Sequence, residues 1–543
     1  MLLGSIIIFF IFSILLITSI LFVFGFPVSV FQFFCGISAT IIFGWLGIHL
    51  YFKQYIFKLF GILLVSVLLI MLASIYCSGK FYDIWCDGQA IHQEAIIQLA
   101  NGWNPVHQQL SQQVNNSKWI NPYPKALPIY AATLYKITGR IEQSKAFNFL
   151  LIAASFFLSF SALLCFKQIK PFMAFALACL FSLNPVAVYQ SLSFYVDGQM
   201  SSLLCSFASL IVLLFVRSDS LIIVTLIMCI IMILNIKLTG FAYMFVFMIG
   251  IGGFLFLNKQ RKLGLKILKI SLISFLLGIF LVGFNPYITN MMHFGNPFYP
   301  IAGVNKLDVA HEYLPQGFRV MNRFEKLFLS LFSKSENIGG SEKVSLKWPF
   351  TVSETELITF VGADTRVGGF GPLFSGALIV TLVVILISAL FDIRKTKIAL
   401  GVISLLAVSI FINPEAWWAR YVPQLWMIPL VAVILSLHLL HKSLYYLGRL
   451  LVFILLINVV LILGVYIDGQ MYWSKLLKQQ LEFLSANSQS GELPVKFHDF
   501  SSNRIRLNEA GVKYKEVELL PCSKHISLVG FGAVPTQVCV NKK

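Results

Sequence analysis

Charge is what this sequence has least of. Only 12% of its 543 residues are charged, and acids are the scarcer sign, with 23 Asp plus Glu against 41 Lys plus Arg. A soluble protein of this length covers itself with charged side chains, so a water-exposed globular fold is excluded. No Gly-rich phosphate loop follows a strand and no Walker pattern occurs, which removes the usual nucleotide-binding chemistry. No tight His-x-x-x-His spacing points to a zinc site. The first segment lacks the basic start and small-residue cleavage pattern of a removable signal peptide. The basic excess sits mostly in short loops, so membrane topology accounts for it without a nucleic-acid partner.

What is abundant is apolar sequence, 58% of the chain. Runs long enough to cross roughly 30 Å of hydrocarbon as helices recur at 3–25, 28–50, 58–77, 146–166, 171–189, 199–216, 220–235, 239–257, 269–285, 373–391, 398–412, 421–440 and 450–467. The expected fold is therefore an all-α polytopic membrane protein of about 13 spans, in contact with lipid throughout. Segment 126–138 is apolar enough to enter the membrane partway, and 220–257 is divisible in more than one way around Lys237. With the N-terminus inside, the short inner loops carry Lys53 and Lys58, Lys167 and Lys170, Arg217, the cluster Lys259 to Lys266, the trio Arg394, Lys395 and Lys397, and Lys442 with Arg449. Every short basic loop then faces the cytoplasm. The long connections 78–145 and 286–372 and the tail face outward, and the cytoplasmic (inner) membrane is the expected location. The chain divides into a membrane domain, 1–467, and a C-terminal extracytoplasmic region, 468–543, with a strand expected near 513–520.

The first outer loop is the densest in chemistry. Asp83 and Asp87 flank Trp85 and Cys86, and an amphipathic helix follows with Ile91, Ala95 and Leu99 on one side, closed by Gly102, Trp103, Asn104 and Pro105. Asp87 is placed to cap that helix. Asp83 is either a solvated loop acid or a second carboxylate that shares a metal, binds sugar hydroxyls or raises its neighbour's pKa. The tripeptide Asp-Gly-Gln occurs at 87–89, at 197–199 and at 468–470. The first two copies open helices at the outer boundary, where an acid is expensive unless it faces a cavity or partner. The third reads mainly as a cap. Asp83, Asp87 and His92, with Glu94 and His107 nearby, are the residues a divalent metal would use. His92, Glu94 and Trp103 are also candidates for contacting substrate or organising the loop.

Further along, Lys125 follows Asn121, Pro122, Tyr123 and Pro124, where it can meet a phosphate or snorkel to lipid. Loop 286–372 adds His311, Arg319, Arg323 and Arg366, the last inside a Gly-rich run from Gly362 to Pro372. Arg420 sits in an aromatic edge with Trp417, Trp418 and Tyr421. Arg366 and Arg420 suit either phosphate clamping or an interfacial belt. Cys522 with Cys539, and Cys77 with Cys86, are outward pairs able to form disulfides, whereas Cys35, Cys165, Cys179, Cys205 and Cys229 read as packing.

In their order, these features resemble the polyprenyl-phosphate-dependent glycosyltransferases of the GT-C fold, which include protein O-mannosyltransferases and bacterial lipid-linked sugar transferases. The resemblance rests on Asp87 in the first outer loop, the helix ending at Gly102 to Pro105, Tyr123-Pro124-Lys125, the apolar segment closing Leu134 to Gly139, and Asp197. The segment from Phe294 through Asn296-Pro297-Phe298-Tyr299-Pro300 is similar to one in bacterial members. The similarity covers about residues 75–300. It implies a GT-C-like bundle, a polyprenyl-phosphate-linked sugar donor and a glycan, lipid or protein acceptor. It also implies catalytic work by Asp87 with support from Asp197, and a donor-phosphate contact by Lys125; Arg366 and Arg420 are added to the donor-phosphate candidates on their residue type alone. Gly88 stands where many members have a second, adjacent acid, which leaves the division of labour between Asp83 and Asp87 open. A transporter or lipid-linked glycan flippase is the alternative, with Lys237 and the Asn184-Pro185 pair as span interruptions, although no inverted repeat is visible. A non-catalytic envelope-assembly protein is the other.

Overall fold

Helices that are apolar on every side have two stable settings, lipid or the interior of a bundle, and this chain uses both. The computed structural model describes residues 1–52, 54–307, 313–439 and 441–540; Lys53 and His311, named above among the cations, lie outside the described residues. Among the described residues, nine helices are long and apolar enough to cross a membrane. Three more expected spans fall on shorter apolar helices at Pro171–Ser182, Ser220–Ile236 and Pro423–His438. The remaining one, Ile393–Phe411, carries Arg394, Lys395 and Lys397 in its first turns. The helix Asp197–Val216 has 78% of its apolar window buried and is central, while Ile56–Gly79 has 6% and is an outer, lipid-facing helix.

Two apolar cores hold the bundle together. Ile11, Leu15, Leu158, Leu204 and Ile230 belong to one, in the N-terminal half. Leu177, Val384, Leu430 and Leu455 belong to the other. In lipid, helices associate through close packing of small residues. A Cβ on Gly36 would come within 2.7 Å of Ile14, and one on Gly278 within 2.6 Å of Leu234, so both glycines mark tight helix contacts.

Two interruptions shape one end of the bundle. The 171–189 segment breaks after Ser182, where the Asn184 side chain accepts from the Val186 amide and donates to the Pro423 carbonyl at 2.8 Å, tying the break to the other half of the bundle. The 220–257 segment breaks at Lys237, in extended conformation between the helices Ser220–Ile236 and Thr239–Leu257. At the opposite end, Lys266 donates to Ser218 at 2.6 Å, and Arg217 lies over Tyr51 while pairing with Asp219 at 3.2 Å. Basic short loops thus gather away from the acid-bearing ones.

The final helix, Lys442–Asn487, has 46 residues, roughly 70 Å at 1.5 Å per residue. That is about twice what the hydrocarbon needs, so it extends well past the bundle and carries the tail on its end. It passes straight through the expected boundary at 467/468. Asp468 therefore lies mid-helix, and its reading as a cap is corrected. The tail forms a four-stranded sheet in the order β2-β1-β4-β3, with β1 at Leu493–Lys496, β2 at Tyr514–Glu516, β3 at His525–Ser527 and β4 at Gln537–Cys539. β1 pairs in parallel with β2 and antiparallel with β4. Val495, Leu507 and Val538 pack on Leu477, Leu481 and Leu484 of the long helix and on Ile84 of the first long loop. Cys522 and Cys539 are disulfide-bonded. Cys77 and Cys86 are both free, which corrects that candidate pair; Cys86 packs instead against Gly532 of the tail.

Candidate functional site

Arg420 is the hub of the acid-bearing end of the bundle. A 3₁₀ turn, Ala419–Tyr421, presents it between two spans, and its guanidinium lies over the rings of Trp418, Tyr421 and Tyr195 at 4.8, 5.1 and 5.2 Å. It donates to Asp87 at 2.9 Å and to Asp197 at 3.4 Å, and its Nε is 3.0 Å from Asp364, an ion pair off the hydrogen-bonding direction. Lys237, from the break between two spans, pairs with Asp197 and lies 4.2 Å over Tyr421. Arg366 adds a third cation, 3.6 Å from Asp364, while stacking on Tyr313 and Trp418 and donating to the Ile338 carbonyl. Three acids thus meet three cations. Buried charges persist only when paired in this way.

The three acids are not equivalent. The Asp197 side chain is 2% exposed and Asp364 13%, whereas Asp87 keeps 35%. Asp197 is further fixed by Gln190, which donates to its carboxylate and to the Ala363 carbonyl and accepts from the Gly198 amide. Asp364 also accepts from the Trp418 indole at 2.6 Å, and burial raises its carboxyl pKa against the pull of Arg420 and Arg366. Asp87 is the acid whose free edge meets solvent. It begins the helical run Gly88–Gln93, continued by Glu94–Ala100, but its side chain makes no capping bond; the carboxylate goes to Arg420. The run is π-helical from Gly88 to Gln93, a form common at functional sites.

Asp83 is placed differently. Its Oδ2 accepts from the Ser193 hydroxyl at 2.9 Å and the Phe194 amide at 2.7 Å, and Oδ1 accepts from the Trp85 amide. It is fully buried, which raises its carboxyl, with Lys145 pulling the other way. It staples the first long loop, 78–145, to the turn preceding Asp197. A Cβ at Gly88 would lie 2.0 Å from Asp83 Oδ2, so the Asp83 carboxylate fills the space a second acid at 88 would need.

The other candidates divide between wall and scaffold. His92 is buried edge-on to Tyr123, and burial lowers its imidazole to about 4 despite the nearby Asp87 and Asp197, which keeps it neutral. Asp83, Asp87 and His92 form no ligand set: among the described residues no three His, Cys, Asp or Glu side chains gather to hold a metal. His107 faces the Val23 carbonyl. Glu94 is tied to Gln98 and to Ser501 of the tail, and Trp103 donates to the Gln108 carbonyl. Arg323 donates to the Phe411 carbonyl, far along the second loop. Lys125 is buried, donating to the Asn121 and Tyr123 carbonyls with the Trp103 ring 5.4 Å away. No acid pairs with it among the described residues, and burial alone pulls its ammonium well below the usual lysine range. It borders a small, mostly apolar cavity with Phe22, Ile129, Leu281 and Asn285. Asn290 donates to the Pro122 and Tyr299 carbonyls, which fastens the Asn296–Pro300 stretch beside it.

Sequence reasoning did not assign Lys237 or Asp364 to this cluster. Lys237 had a signal, being the lone charge in the apolar stretch 220–257. Asp364, a loop acid beside Arg366, had none that separated it from a surface ion pair.

No protein-family model matches the chain, and no curated protein matches it. Among solved structures, the chain aligns with the crystal structure of ArnT from Cupriavidus metallidurans bound to undecaprenyl phosphate. The alignment covers 84% of this chain and 86% of that chain, at 10% identity and a TM-score of 0.43.

Proposed function

We propose that the protein is a GT-C-like membrane glycosyltransferase, moving a sugar from a polyprenyl-phosphate donor to an acceptor at the outer face. The observation that carries this reading is the Asp87–Arg420–Asp197–Asp364 cluster, in which one acid keeps an open edge while the others hold the cation that orients it. Such a carboxylate has the position and the charge of a general base. As the acceptor oxygen bonds to the sugar's anomeric carbon, its proton passes to Asp87. The bond from that carbon to the phosphate oxygen breaks, and its electron pair leaves with the lipid phosphate. Asp197 and Asp364 are positioning residues that act through Arg420.

Lys125 supports the donor half of the reading. An ammonium buried without an acid, beside an apolar slot between the ends of spans, is chemically incomplete. A lipid phosphate supplies its counter-charge. The test is transfer of labelled sugar in reconstituted membranes. Asp87→Asn lowers kcat by about 10²–10⁴, the range for loss of a general base, while Lys125→Gln acts mainly on donor KM. Unimpaired turnover in Asp87→Asn overturns the assignment.

A further inference from the structure

The tail and the first outer loop enclose a second, larger cavity, of about 500 Å³ and open to the outside. This is within the range of roughly 300–1,000 Å³ typical of small-ligand sites. Its walls are built from polar side chains that neighbours already hold in place. Glu94 is fixed by Gln98 at 2.7 Å and Ser501 at 2.6 Å. Arg504 forks onto Glu516 and stacks on Phe497 at 4.6 Å. His498 is 3.0 Å from Gln537 and, in a left-handed backbone conformation (φ 51°), its carbonyl accepts from Asn115 at 2.7 Å.

The chemistry of this lining selects a ligand class. Carboxylates, amides and a guanidinium arranged along one wall offer paired acceptors and donors, which neighbouring hydroxyls satisfy two at a time. The acids Glu94, Glu516 and Glu518 outnumber the cations Lys496 and Arg504, which disfavours a phosphate or an acidic polymer. Greasy ligands find little here. Location adds the link to function: Glu94 is seven residues beyond Asp87 on one continuous helical run, roughly 10 Å at helical rise.

We infer that this cleft binds the acceptor, a hydroxyl-rich oligosaccharide without net negative charge, so that its terminal unit reaches Asp87. The acceptor role rests on the transferase reading; the binding itself does not.

The test uses full-length protein in detergent micelles on an array of defined neutral, phosphorylated and carboxylated oligosaccharides, with wild type, Gln98→Ala/Glu518→Ala and Asp87→Asn compared. The expected result is retention of neutral glycans by wild type and Asp87→Asn, reduced at least tenfold in the double variant. No retention above background, preference for anionic glycans, or equal retention by the double variant overturns the inference. A retained glycan is then added to membranes carrying the wild-type protein, where it lowers labelled-sugar transfer to the endogenous acceptor; failure to compete overturns the acceptor role. If the cleft binds glycan while Asp87→Asn still transfers sugar, the transferase assignment of Asp87 fails and the binding site stands.

Discussion

Gly88 carries more of the local design than its size suggests, because Asp83 occupies the volume its side chain would take. Gly88→Ala forces the Asp83 carboxylate off Ser193 and Phe194. The expected cost is about 1–3 kcal/mol, the usual range for overpacking, and most of it disappears when the same change is made on an Asp83→Ala background. Thermal unfolding of the four proteins in the cycle checks this; additive costs contradict it. His92 gives a pH signature. Its imidazole is lowered from 6.5 to about 4 by burial, so between those values the unfolded chain binds a proton that the folded one does not. Stability therefore falls as pH drops from about 6.5 towards 4, by up to about 3 kcal/mol. In His92→Gln that part of the pH dependence of Tm is absent.

At the scale of elements, the buried Arg506 joins the tail to the membrane domain. It contacts Glu142 at 2.5 and 3.0 Å, Gln89 at 2.7 Å and the Asp83 carbonyl, while Lys145 pairs with Glu142 at 2.6 Å. Arg506→Met leaves Glu142 half-paired and Gln89 without its donor, two residues from Asp87. A loss of about 3–5 kcal/mol follows, with the tail becoming protease-sensitive; unchanged proteolysis rules the contact out as a fastening. The sequence offered little warning of it. Arg506 lies in an ordinary polar stretch, and its partners Glu142, Gln89 and Asp83 are more than 360 residues away. The strand near 513–520 was legible from alternation, although only Tyr514–Glu516 forms it. The length of the final helix was not, because its polar second half packs on the tail and not in lipid.

For the whole molecule, hydropathy marked where the helices run, since apolar composition over spanning lengths has few other solutions. It did not mark which helices sit inside, because Asp197–Val216 and Ile56–Gly79 are similarly apolar yet buried to very different degrees. Loop charge and the Asp-Gly-Gln repeats picked out Asp87 and Asp197, and Arg420 stood out as a cation among aromatic residues. Their convergence, with Lys237 and Asp364 completing the charge balance, depends on long-range packing between the two halves of the bundle, about which local pattern is silent. That convergence gathers the candidate chemistry at one end of the bundle, away from the short basic loops.

The most direct test is mass spectrometry of surface glycans from three strains: one with the wild-type protein, one lacking it, and one carrying Asp87→Asn at matched membrane levels. Arg420 keeps Asp197 and Asp364 in the Asn variant, so the protein inserts and accumulates. The expected result is a sugar modification present in the first strain and missing from the other two. Full modification in the Asp87→Asn strain, or identical glycans in all three, contradicts the account.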